Sequence, residues 1–192
     1  MRRVLALLLV FAATGFVTVA RPPPPADAAV AKPDPRWVFY TDDKTWYSSP
    51  WFGGKHRIMI PFGCTEAPYY SPDPRCEDEH GFHHGIDVAM ACGTKLYAAR
   101  RATVVDPASL GPAYGTTPLL LRTDKWDLVI GHVRKRYVEP GDVVPRGRLI
   151  ALASDNGAPD GCHLHFEKRA PSGGLESASY PKGLLDLEAV VP

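Results

Sequence analysis

The chain has almost no surplus charge: 22 Lys and Arg against 21 Asp and Glu give a net charge of +1. A broad cationic field of the kind that dominates nucleic-acid binding is missing, so nucleic acid is not an expected partner. Long apolar runs are scarce as well. Beyond Ala20 no stretch is apolar enough for long enough to span a bilayer. No internal repeat is found, which excludes a fibrous or repeat architecture. Sustained helical periodicity is also lacking, because 20 Pro and 17 Gly among 192 residues break the chain too often. With 45% hydrophobic and 22% charged residues, what is present suits one globular, mostly β domain.

Met1-Arg2-Arg3 followed by an apolar run from Val4 to Ala20 reads as a secretory signal peptide. Small residues offer two cleavage sites, Thr18-Val19-Ala20 and Ala26-Asp27-Ala28. The second places the signal over residues 1–28; an uncleaved anchor is the alternative. The mature chain is then expected to be extracytoplasmic, without stable membrane association, and monomeric. Its four cysteines should pair in that compartment. Cys64 and Cys76 bracket a loop rich in Pro and Tyr, and Cys92 and Cys162 each lie close to a histidine motif. The expected pairs are therefore 64 with 76 and 92 with 162.

Residues 29–55 carry irregularly spaced aromatics, including Trp37, Phe39, Tyr40, Trp46 and Trp51, and read as an arm that packs across a domain. Short β-like runs follow, each bounded by Gly, Pro, Asp or Asn: 57–61, 85–90, 96–105, 118–122, 128–133, 149–153 and 163–168. Two apolar pairs within Glu139–Ile150, with Gly at the corners, suggest a tight hairpin-like reversal. Leu184–Leu187 is expected to form a helical turn or a final strand. Turns about every ten residues point to an antiparallel sheet or sandwich.

Three of the seven histidines, His132, His163 and His165, lie within these runs, and His83 and His84 immediately precede another. On a strand, positions four apart face the same way, so His83 and Asp87 of His83-His84-Gly85-Ile86-Asp87 can converge. In His163-Leu164-His165-Phe166-Glu167 the alternation puts His163 and His165 on one face, with Leu164 and Phe166 in the core. If the two strands are neighbours, three imidazole and carboxylate donors surround one point. That set suits zinc, with a fourth position left for water. One histidine of the second strand is then spare to move a proton, and His132, in the apolar strand Val129–Val133, is a second candidate.

His83–Ala89, Cys92–Ala99, Gly131-His132-Val133, Pro140–Val144 and His163–Glu167 together resemble, in order and spacing, the lysostaphin-type (M23 family) zinc metallopeptidases. The resemblance runs from about His83 to Glu167 and implies a mostly antiparallel β fold with its site in a groove. It also implies a zinc endopeptidase domain over residues 56–192 that hydrolyses peptide bonds in bacterial peptidoglycan. One Zn2+ per chain would be held by His83, Asp87 and His165, with His132 and His163 as the catalytic pair beside the attacking water. His83 is taken over His84 because the family pattern is His-x-Gly-x-Asp. The segment Asp78–Phe82 departs from the family, which commonly has a basic residue just upstream of the first ligand. A non-catalytic relative that binds peptidoglycan or activates another hydrolase is the rival reading; a zinc carboxypeptidase is a second.

Overall fold

A computed structural model describes residues 33–181 and 183–191; the expected signal peptide lies outside them. Fourteen strands account for the regular structure: β1 (Trp46–Ser49), β2 (Phe52–Ile60), β3 (Gly63–Thr65), β4 (Gly81–His83), β5 (Gly85–Ala89), β6 (Lys95–Tyr97), β7 (Ala102–Val105), β8 (Leu119–Arg122), β9 (Asp127–Gly131), β10 (Val133–Arg134), β11 (Val143–Val144), β12 (Leu149–Ala153), β13 (His163–Arg169) and β14 (Glu188–Val190). The only helical pieces among the described residues are three 3₁₀ turns, and no helix there is long and apolar enough to cross a membrane.

Twelve strands form one curled antiparallel sheet, β10-β12-β6-β2-β5-β13-β9-β8-β7-β11, with β1 on β2 and β14 on β1. β3 and β4 make a separate pair. The mostly β, antiparallel expectation is met. β13 sits at the centre between β5 and β9, and its alternation drives Leu164 and Phe166 into the main apolar cluster. Phe166 meets Trp51 edge to face at 5.0 Å. Burying a side chain of that size stabilises the fold by about 1.5–3 kcal/mol.

Several local expectations need correction. The run 96–105 is two strands, because β6 pairs with β12 and β2 whereas β7 pairs with β8 and β11 at the other end of the sheet. Residues 98–101 turn the chain between the two regions. The reversal within 139–150 is not a hairpin: Val143-Val144 pairs with β7, and Leu149–Ala153 pairs with β6 and β10. Residues 128–133 are interrupted at His132, whose φ of 53° ends β9 and begins β10. Leu184–Leu187 forms a turn, and the final strand is β14 just beyond it. The end of the stretch read as an arm is sheet, since Trp46–Ser49 is β1 and β2 begins at Phe52. Trp37, Phe39 and Tyr40 pack against Met59, Ile60, Ala67 and Ala89, so these rings bury area.

Both disulfides are those expected, Cys64–Cys76 and Cys92–Cys162.

Candidate active site

β5 and β13 are neighbours with His165 directly opposite Asp87. His83 reaches the same point by a different route from the one the sequence suggested. The chain bends at His84, so His83 ends β4 and Asp87 lies on β5. The three donors nonetheless converge: His165 Nδ1 is 2.9 Å from Asp87 Oδ1 and 3.1 Å from His83 Nε2, and His83 Nε2 is 3.4 Å from Asp87 Oδ1. All three side chains are buried. Gly85 makes room for them, since a Cβ there would come 2.6 Å from His165 Cε1. His84 faces away, toward Arg75 and Phe82.

Each imidazole is held from behind. His83 donates Nδ1–H to the Pro61 carbonyl at 3.0 Å, and His165 donates Nε2–H to Glu167 Oε2 at 3.2 Å. The ring atoms left facing the centre are His83 Nε2 and His165 Nδ1. Glu167 is itself anchored by Arg169 Nε and by the Tyr114 hydroxyl, which receives a bond from Arg169 Nη2. Burial opposes a charge on His165, but the hydrogen bonds it donates to the Asp87 and Glu167 carboxylates push its pKa up to about 9. Burial likewise opposes ionisation of Asp87, yet electrostatic attraction toward the His83 and His163 side chains and hydrogen bonds from His165 and His83 hold its carboxyl well below the usual range. The point between them is thus one where positive charge is stabilised. A tetrahedral ion with ligand bonds of about 2.0–2.2 Å spaces its ligands about 3.3–3.6 Å apart, and these donors, at 2.9–3.4 Å, need to part by only a few tenths of an ångström to reach it. Among the described residues, His83, Asp87 and His165 fit a metal ion.

His132 and His163 stand beside this cluster with ring centroids 4.4 Å apart. His132 donates Nδ1–H to the Asn156 carbonyl and His163 to the Gly161 carbonyl, both at 3.0 Å. Both Nε2 atoms therefore carry free lone pairs. Nε2 of His163 is buried without a hydrogen-bond partner, 3.6 Å from Asp87 Oδ1. Burial, then the proximity of His163 and His165, lowers the His132 pKa to about 3. The strained His132 backbone is held on both sides, by N–H donation to the Tyr114 carbonyl and by acceptance from Ser154 N and Oγ.

The structure thus gathers all five residues singled out in the sequence. Sequence reasoning missed Glu167, Arg169 and Tyr114. The first two share the face of His163 and His165 by simple alternation along β13 and could have been found; Tyr114 comes from the short 3₁₀ turn Pro112–Tyr114, which has no periodic signal. Tyr70, whose ring lies 5.2 Å from that of His83, is delivered by the Cys64–Cys76 loop.

The model of peptidase family M23 matches residues 81–176, half of the chain and all of the strands that build this site except β2. The chain belongs to peptidase family M23. Among M23 relatives, the peptidoglycan DD-endopeptidase ShyA of Vibrio cholerae is 32% identical over 85 residues, 44% of this chain and 20% of ShyA. Lysostaphin of Staphylococcus simulans is 28% identical over 109 residues, 55% of this chain and 22% of lysostaphin. The matches thus take in about a fifth of these M23 proteins. The solved structure of LytU superposes with a TM-score of 0.55 at 28% identity, covering 67% of this chain and 83% of LytU.

Proposed function

We propose that this protein is an exported zinc endopeptidase that hydrolyses peptide bonds in bacterial peptidoglycan and acts as a monomer. His83, Asp87 and His165 would hold one Zn2+, and His132 and His163 would be the catalytic pair. The observation that carries the reading is the pairing of a three-donor cluster with two further imidazoles whose Nδ1 protons are committed to backbone carbonyls. The peptidoglycan substrate is suggested by ShyA, named a peptidoglycan DD-endopeptidase. Export is supported by the N-terminal signal pattern and the two disulfides.

Zinc held by His83, Asp87 and His165 would supply Lewis-acid polarisation of the scissile carbonyl and acidification of a water. The chain does the proton work. A free Nε2 on His132 or His163 accepts a proton from the attacking water and returns it to the departing amine. Asp87 and Glu167 keep the surroundings anionic and His165 in one orientation. Burial of all five side chains excludes bulk water, so each of these interactions acts at low effective dielectric.

The test is zinc content together with hydrolysis of purified cross-linked peptidoglycan, with and without chelator, for wild type and His132→Ala. One zinc per chain and new free amines, lost on chelation and in the variant, are expected. Stoichiometric zinc without cleavage would instead make the protein a binder or an activator of another hydrolase. Release of terminal residues alone would make it a carboxypeptidase.

A further inference from the structure

Asp34, in the segment ahead of β1, reaches the backbone beside His163. Its Oδ2 accepts the Cys162 amide at 3.1 Å. The carbonyl of that same peptide unit is Gly161 O, which accepts the Nδ1–H of His163 at 3.0 Å. A carboxylate, a peptide and an imidazole are therefore hydrogen-bonded in series. Bonds in such a chain polarise one another: negative charge at the amide end makes the carbonyl a stronger acceptor for the imidazole proton.

The surroundings are shaped for this contact. Gly161 has φ +97°, and a Cβ on it would come 2.8 Å from both Cγ and Oδ2 of Asp34, so a side chain there would displace the carboxylate. Arg36 donates to both Asp34 oxygens, from Nε at 3.0 Å and Nη2 at 2.8 Å, and also to Asp155 at 2.9 Å. These bonds, chiefly the side-chain pair, hold the Asp34 carboxyl well below its usual range and so keep it ionised. Trp37 Nε1 donates to the Cys162 carbonyl at 2.7 Å, pinning the next peptide unit. Asp160 offers His163 no equal alternative, because its Oδ1 lies 3.7 Å from Nδ1, beyond hydrogen-bond reach.

We propose that Asp34 is a positioning residue for His163, fixing the imidazole through the Cys162 peptide with its proton on Nδ1 and its Nε2 bare. It would do at one remove what a directly bonded carboxylate does for the histidine of a Ser-His-Asp triad. The segment ahead of β1 is then part of the active-site apparatus. The proposal rests on the reading of His163 as a proton carrier.

The experiment compares Asp34→Ala, Asp34→Asn and His163→Ala in the full-length, zinc-loaded chain. It measures kcat and KM separately on a soluble cross-linked muropeptide, zinc stoichiometry, and the ring 15N shifts of His163. Asp34→Ala should lower kcat about tenfold with KM and zinc unchanged, and should convert the His163 ring from a single Nδ1–H tautomer to a mixture. Asp34→Asn, which can still accept the amide, should recover part of both effects, and it carries the test if the alanine variant does not fold. Wild-type kcat and an unchanged tautomer in the Asp34 variants, with His163→Ala inactive, would overturn the relay and leave the proton-carrier reading standing. Wild-type turnover in His163→Ala would overturn that reading and the relay with it. A loss in the Asp34 variants confined to KM or zinc content would also overturn the relay.

Discussion

Glu167 and His165 lie two residues apart on β13, share one face, and meet at 3.2 Å between carboxylate Oε2 and ring Nε2. A carboxylate behind a ligating imidazole fixes its tautomer and raises its basicity. Glu167→Gln should therefore weaken zinc binding by about 10–100-fold, read by competition with a chromogenic chelator. An unchanged affinity would mean that Glu167 serves only to neutralise Arg169.

His132→Ala and His163→Ala should each retain zinc and lose activity by about 10²–10⁴-fold, the usual range for a lost general acid or base. His83→Ala should lose both metal and activity. The assignment is reversed if His163→Ala loses stoichiometric zinc while His165→Ala keeps it, as metal analysis of the purified variants would reveal.

The left-handed backbone at His132 separates two ways of deleting its imidazole. Alanine keeps the strain of φ 53°, whereas glycine adopts it without cost. His132→Gly should be as inactive as His132→Ala but more stable by about 1 kcal/mol. Thermal unfolding of the two proteins checks this.

The cluster of His83, Asp87, His163 and His165 was legible in advance, because these residues sit at spacings that strand alternation interprets directly. The strand containing the first pair was misjudged in detail, since a bend at His84 is a backbone event with no compositional mark. The expected hairpin within 139–150 failed for a related reason: apolar pairs and glycines indicate that a chain turns, not which distant strand it then joins. Asp34, Tyr114 and Asn156 were invisible because each reaches the site from a loop or a short turn, where only tertiary contact assigns a role.

Acid should act on the fold through Asp127. Burial opposes its ionisation, but paired hydrogen bonds from Arg122 at 2.8 and 2.7 Å and one from the Ser172 amide hold its carboxyl below the usual range. A lowered folded pKa gives stability that is present above the unfolded value, about 3.9, and lost as pH falls through the folded one. Asp127→Asn should be less stable than wild type at pH 7, and the two melting curves should converge below about pH 4.

The Cys92–Cys162 bridge spans 70 residues and Cys64–Cys76 spans 12. Loop-closure entropy scales with those lengths, so replacing the first pair by alanine should cost about 4 kcal/mol and the second about 3. Denaturant unfolding of the two double variants gives the comparison.

The pairing of β14 on β1 has a consequence for how the chain reaches this state. Among the described residues, one edge of residues 46–49 pairs with residues 188–190, and the central β13 joins partners far earlier in the chain. Contacts of such long sequence separation form slowly. The edge strand and the centre of the sheet are therefore both closed by long loops, so the sheet is completed only after the local turns have formed.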